Sequence, residues 1–421
     1  MGLIWRVGLW GWACEERLVG GIDMRLNSFQ KARVIPAACC LVIALLFVAA
    51  PAMAQGTTNI TITKYYDNNY SSVENETTLD LAELQALSAV YSNGPVGMQG
   101  GTFDYNLDVW AYTTDSMSDY GVQNGTYVRN ITDQVDGMNV GDELWVVAAD
   151  GYKTYFNHTN VYAPHVNQGE MILSWENDTS TVPTYEDGIR LFFYTPSDLN
   201  FTNADMRDSM APWYWRVVYD KFSPYGAFPS AKGLSSKLVS DLKIYPPHRY
   251  DFETGSDTTE WAYEGGVDGV PTSATVPSTE FDSTSAIADI GGSSYLTSSD
   301  TEDYSAAHRF VFAVVENKTM IEKLDTTWIG TGTHDGGTNG ATLYIWNGTG
   351  YEPLNTTTSG SEVTLTGTIA TDVSNYVVGG NVTVLVKQNG ASDGDDVSVL
   401  ATDYVKLVVT HHHRNSNFVL P

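Results

Sequence analysis

Residues 34–54, VIPAACCLVIALLFVAAPAMA, constrain this chain more than any other stretch, because they set the compartment in which the rest folds. Arg25, Lys31 and Arg33 give a basic start. Residues 41–48 are an unbroken apolar run, and Ala52-Met53-Ala54 has the small-x-small form that a signal peptidase admits. Cleavage there makes Gln55 the first mature residue. An uncleaved anchor is the competing reading, since the apolar run approaches the ~20 residues of a membrane span; the break at Pro51 and the A-x-A site favour cleavage. Residues 1–23 precede Met24, where a conventional leader begins, and are read as an upstream mis-start outside the fold. All three cysteines, Cys14, Cys39 and Cys40, lie before the cleavage site. The exported chain therefore has no disulfide, no thiol nucleophile and no thiolate ligand. Its roughly 365 residues, enough for two or three domains, must be held by ordinary apolar cores.

The surface chemistry fits an extracellular, cell-surface address. Five of the 22 Lys and Arg and three of the 50 Asp and Glu precede residue 55, so the exported part carries 17 against 47, a net of −30. Such a surface excludes nucleic acid as a partner, because binding it requires cations that replace phosphate counterions. It suits a self-repelling soluble protein or one that meets cations. Twelve N-x-S/T sequons, at Asn59, Asn69, Asn75, Asn124, Asn130, Asn157, Asn177, Asn200, Asn317, Asn347, Asn355 and Asn381, predict a glycosylated surface. No apolar span follows the leader, so the mature chain is expected to lack a transmembrane anchor.

Two regions differ in texture. Residues 55–248 mix strand and helix signals. Residues 58–63 alternate with period two, Asp80-Leu-Ala-Glu83 is a capping box, and Val128, Ile131 and Val135 share one helical face before Gly137, which suits a left-handed C-terminal cap. Residues 144–149 form an apolar strand that turns at Asp150-Gly151. Further strands are expected over residues 107–112, 171–175, 189–194, 213–218 and 237–245, with the remainder of residues 93–119 as loops. Pro246-Pro247 ends this region, since paired prolines remove ladder donors. From residue 249 to 410 the composition turns to Thr, Ser, Gly and Val. Short strands alternate there with turns such as Asn347-Gly348 and Asp393-Gly394, the pattern of an all-β sandwich.

The ordered series in the first region resembles the oxidoreductase molybdopterin-binding domain, the sulfite-oxidase-like fold. The series is a short helix ending at Gly137, then Gly141-Asp142 to Asp150-Gly151-Tyr152, then Met171 to Trp175, Gly188-Ile-Arg-Leu-Phe-Phe193 and a closing strand to Tyr245. The variant with Asn160-Val-Tyr-x-Pro164 and Gln168-Gly-x-Met171 is similar to secreted archaeal proteins. The resemblance implies a cofactor pocket near Arg190. It also implies a cysteine thiolate on molybdenum, which this chain lacks, so a scaffold without its cofactor is expected and molybdopterin is not. The competing reading of Arg190 is a strand-end cation paired with a nearby carboxylate. The second region resembles jelly-roll, galactose-binding-like modules, in which first and last strands pair.

The expected fold is thus a β-rich two-domain protein: an N-terminal α+β, sulfite-oxidase-like domain, a C-terminal all-β, jelly-roll-like sandwich, and a flexible tail over residues 411–421. If the sandwich's first and last strands pair, Asp251, Glu253 and Asp403 could converge on calcium; ordinary surface charge is the alternative. Asp393-Gly-Asp-Asp396 is either a cation turn or a solvated one. His411-His-His413 is either a loose metal ligand or part of a frayed end. Tyr65, Tyr66, Trp213, Tyr214, Trp215, Trp261 and Trp346 are either sugar platforms or core. With no catalytic motif in the sequence, the leading expectation is a secreted, glycosylated cell-surface structural or interaction protein. It would not be an enzyme; it would meet surface proteins or glycans and be capable of self-association. A calcium-assisted carbohydrate-binding protein is the first alternative and a molybdopterin-dependent oxidoreductase the second.

Overall fold

Period-two alternation produces the strand Ile60–Tyr66, whose Ile60 and Ile62 are buried. The computed structural model describes residues 56–101, 110, 112, 115–196, 198–219, 227–253 and 259–416. The leader, its cleavage site and most of the strand expected over residues 107–112 lie outside them. Ile60–Tyr66 belongs to a five-stranded sheet in the order Asn69–Leu79, Ile60–Tyr66, Val239–Tyr245, Glu143–Ala148, Lys153–Asn157. Ile60–Tyr66 and Val239–Tyr245 run parallel, which the long intervening chain permits. The other pairs are antiparallel. A second five-stranded sheet follows the order Arg190–Tyr194, Glu170–Asn177, Met117–Tyr127, Ala89–Gln99, Asn200–Phe201. Leu144, Leu173, Phe192 and Leu242, from both sheets, share one buried core.

Local chemistry sets the short helices where the sequence placed them. Leu81–Ala86 starts on a complete capping box, with Glu83 N–H donating to Asp80 and the Asp80 N–H to Glu83, both at 2.9 Å. Such a cap contributes about 1 kcal/mol. Val128–Thr132 continues as a 3-10 turn over Asp133–Val135, and Gly137 at φ +64° closes it by donating to Thr132 O. Residues 213–218 are not one strand: Pro212 opens a 3-10 turn, Pro212–Tyr214, and only Val217–Tyr219 is extended. The stretch read as loop, by contrast, holds most of Ala89–Gln99 and the start of Met117–Tyr127. Register shifts on both sides of Pro95 break the alternation that would have revealed the first of them.

Beyond Pro247 the chain forms a β-sandwich. One sheet runs His248–Asp251, Ser398–His411, Ile321–His334, Val363–Ile369, with Tyr295–Ser299 also on Ser398–His411. The other runs Thr279–Glu280, Glu260–Asp268, Tyr304–Ala313, Asn381–Gln388, Ala341–Trp346, Tyr351–Thr356. First and last strands do pair, His248 opposite Val409. Phe310 and Phe312 from one sheet meet Leu324, Trp328, Leu400 and Val405 from the other in a second core. Each such side chain contributes roughly 1.5–3 kcal/mol by leaving water. The two large cores lie on either side of residues 246–247, yet the described residues from 56 onward pack as one compact unit. No helix among the described residues is long and apolar enough to cross a membrane.

Candidate functional site

Residues 411–416 carry the chain from the sandwich back onto the first sheet, where a flexible tail was expected. The Asn415 side chain reaches the edge strand Lys153–Asn157 and completes it as another strand would. Its Oδ1 accepts from Tyr155 N at 2.7 Å, and its Nδ2 donates to Tyr155 O at 2.9 Å and Tyr214 O at 2.8 Å. Ser416 donates to Trp215 O at 2.8 Å and accepts from Val217 N at 2.6 Å. His413 gives its backbone N–H to Glu143 Oε1, and its Nδ1 lies within hydrogen-bond distance of Oε2, each at 2.7 Å. The buried Glu143 also accepts from Trp145 Nε1 at 2.8 Å. These contacts tie residues 413–416 to the first region; residues 417–421 lie outside the described part.

This strap walls a groove between the two cores. Two adjoining hollows of about 540 and 480 Å³ share Glu322 and Ala370 along its length. His158, Tyr214 and His411 line the first; Trp213, Lys318, His412 and Arg414 line the second. The His412 ring stacks on Trp213 with centroids 4.2 Å apart. Burial pushes the His411 imidazole down and that of His412 to about 4, so both are neutral at pH 7. Neither His412 ring nitrogen, nor His411 Nδ1, nor Arg414 Nε has a hydrogen-bond partner among the described residues. Buried polar atoms are normally paired, so these four nitrogens are exceptions clustered along the strap. Behind the strap, His248 and Tyr250 each reach Glu316 at 2.6 Å. Burial raises the Glu316 carboxyl, and these two hydrogen bonds outweigh it and hold it below the usual range.

The residues singled out by sequence fare unequally. Asp251 and Glu253 do come together, but around Arg249: its guanidinium bonds Asp251 and, at 2.8 Å, Glu253, while Tyr404 donates to Asp251 at 2.6 Å. Asp403 meets a different partner, the N–H of Gly291, at 2.9 Å. The three carboxylates expected on calcium are thus placed on two separate contacts, Asp251 and Glu253 on Arg249 and Asp403 on the Gly291 N–H. Arg190 is a strand-end cation, bonded to Asp187 at 2.8 Å, Ser235 at 2.9 Å and Tyr120 at 2.9 Å. Among the described residues no group of three or more His, Asp or Glu is placed to hold a metal ion. Tyr65 stacks on Tyr245, Trp215 lies against Trp110, and Trp346 packs on Tyr351 in a small buried cluster. Of the seven aromatics, Trp213 and Tyr214 alone line the groove. Of the sequons, Asn124 is buried and its amide nitrogen donates to Glu176 at 2.6 Å, a contact that a glycan there would displace. Asn59, Asn69, Asn317 and Asn355 are exposed; Asn75, Asn130, Asn157, Asn177, Asn200, Asn347 and Asn381 are half-buried. Of the groove residues, His412 was read from sequence only as a loose metal ligand or part of a frayed end, and Arg414 was passed over because it lies in the expected tail.

Comparison with known proteins adds the following. The family model AF_1625_C, described as "Uncharacterized protein, C-terminal domain", matches residues 257–411, most of the sandwich. No curated protein matches the chain. Among solved structures, the chain is similar to the CBM22-1 xylan-binding domain of Paenibacillus barcinonensis Xyn10C, with 13% identity over 39% of this chain and 93% of that one, at a TM-score of 0.22. It is also similar to the xylan-binding module CBM15, with 10% identity over 39% and 98% and a TM-score of 0.23. A third is the enzymatically active domain of bacteriophage CBA120 tailspike protein 4, with 12% identity over 38% and 20% and a TM-score of 0.20. Overlap at these scores assigns neither a family nor a ligand.

Proposed function

We propose that this chain is an extracellular, non-catalytic protein that binds a glycan chain in the groove between its two cores and so joins a cell-surface assembly. The groove wall carries the proposal: unpaired ring and guanidinium nitrogens beside the indole of Trp213. Sugar hydroxyls donate and accept at once, which suits a lining that combines neutral imidazoles and cations with the carboxylates of Glu322 and Asp372. Elongated hollows at the meeting of two cores are also where ligand sites concentrate. The reading needs neither calcium, since Arg249 stands between Asp251 and Glu253, nor molybdopterin, since Arg190 is engaged within the fold.

Titration of the full chain with extracellular polysaccharides tests it. Binding should fall about tenfold or more in Trp213→Ala and Arg414→Ala. Retention of full affinity in both variants refutes the groove as the site. Stoichiometric molybdenum in the purified protein would revive the oxidoreductase reading.

A further inference from the structure

A second cleft, of about 510 Å³, opens on the first region and shares no lining residue with the groove. Its origin is the irregular strand Ala89–Gln99. The pairing with Met117–Tyr127 skips from Tyr91 to Pro95, so the intervening residues stand off the sheet. They are nonetheless pinned. Ser92 Oγ donates to Gly94 O at 2.7 Å and accepts from Gln123 N at 2.9 Å. This fixes the position of Tyr91, which at 63% exposure is the most exposed aromatic side chain among the described residues. A tyrosine held in water by an ordered bulge has no core to fill.

The facing wall is preorganised. Glu170 and Tyr194 are directly opposed on paired strands. Glu170 Oε1 is held by Arg129 Nη1 at 2.8 Å, and the same guanidinium covers the Tyr127 ring at 4.8 Å. Tyr194 donates to Gln123 O at 2.8 Å. Next along the wall, Thr195 is 2% exposed and its hydroxyl has no partner among the described residues. The cleft therefore offers a free aromatic face, a fixed carboxylate, the exposed amide of Asn93 and an unsatisfied hydroxyl.

We propose that this cleft is a second ligand site, which takes a neutral pyranose ring with its C–H face on Tyr91 and its hydroxyls on Glu170, Asn93 and Thr195. A cation caged by the tyrosines is the other ligand such walls could serve. Arg129 already supplies the cation at Tyr127 and neutralises Glu170, and the other lining carboxylate, Asp198, accepts from the Asn200 N–H at 3.0 Å, which favours an uncharged ligand. The inference shares its ligand class with the proposed function and not its site. Two sites on one chain bridge two strands of a glycan network, or gain avidity on one.

Calorimetric titration of the full chain against neutral β-1,4-linked hexasaccharides of glucose, xylose and mannose tests the site, with choline chloride as the cationic control. At least one hexasaccharide should bind, and Tyr91→Ala should weaken about tenfold a binding event that survives in Arg414→Ala, so that the cleft is read separately from the groove. Thr195→Val should weaken it as well without lowering the fold's thermal stability, because it removes a buried hydroxyl that has no partner among the described residues. No hexasaccharide binding, binding unchanged in Tyr91→Ala, or choline binding that Tyr91→Ala removes would each overturn the proposal. Loss of hexasaccharide binding in Tyr91→Ala alone, with Trp213→Ala and Arg414→Ala inert toward every glycan, would uphold this cleft and remove the groove reading.

Discussion

His308 should make the sandwich acid-sensitive, and the size of the effect follows from its burial. The imidazole lies wholly inside the sandwich, with Nδ1 2.8 Å from Thr402 Oγ1 and Nε2 2.9 Å from Thr297 Oγ1. Both hydroxyls are committed further: Trp328 Nε1 donates to Thr402 at 2.8 Å, and Thr297 is bonded to Glu264. Burial pushes the imidazole from 6.5 down to about 3. In the unfolded chain it titrates near its ordinary value, so below that pH the unfolded state takes up a proton that the folded state refuses. Stability is therefore complete above about pH 6.5 and falls as pH drops toward 3, by up to about 1.4 kcal/mol per unit. Between pH 7 and 4.5 this one residue should account for a loss of about 2–3 kcal/mol. Urea unfolding of the wild type and His308→Gln at both pH values measures it, because Gln keeps a donor and an acceptor but does not titrate. The fall in stability should be larger in the wild type by that amount, whatever the variant's stability at pH 7. Equal falls in the two proteins would show that His308 is protonated in the fold and refute the reasoning.

Other expectations rest on single contacts. Arg249→Met leaves the Asp251 carboxylate buried without its cation and should cost about 3–5 kcal/mol, whereas EDTA should leave the melting temperature unchanged; a chelator-dependent shift would restore the calcium reading. Asn415→Ala removes three hydrogen bonds from the strap and should lower stability by about 1–3 kcal/mol, with faster hydrogen exchange at Tyr155 as the specific sign. Peptide mapping of the native protein should find Asn124 without glycan even where the exposed Asn317 carries one.

Local chemistry was readable in the sequence, and non-local partnership was not. The capping box at Asp80, the left-handed turn at Gly137, the strand break at Pro246-Pro247 and the sandwich alternation each depend on residues a few positions apart, whose geometry the backbone fixes. The pairing of first and last sandwich strands was also anticipated, through resemblance to jelly-roll modules. The strand Ala89–Gln99 escaped because its bulge destroys the period-two signal at the place where Tyr91 is set out into the cleft. The site residues escaped for a different reason. Asn415 meets Tyr155 across 260 positions, and Arg216 meets the Asn415 carbonyl across 199. Sequence could bring Asp251 near the last strand, yet only the tertiary structure decided that Arg249 reaches it where calcium was expected. A buried charge takes whichever opposite charge the packing places within reach, and that choice is made through space, not along the chain.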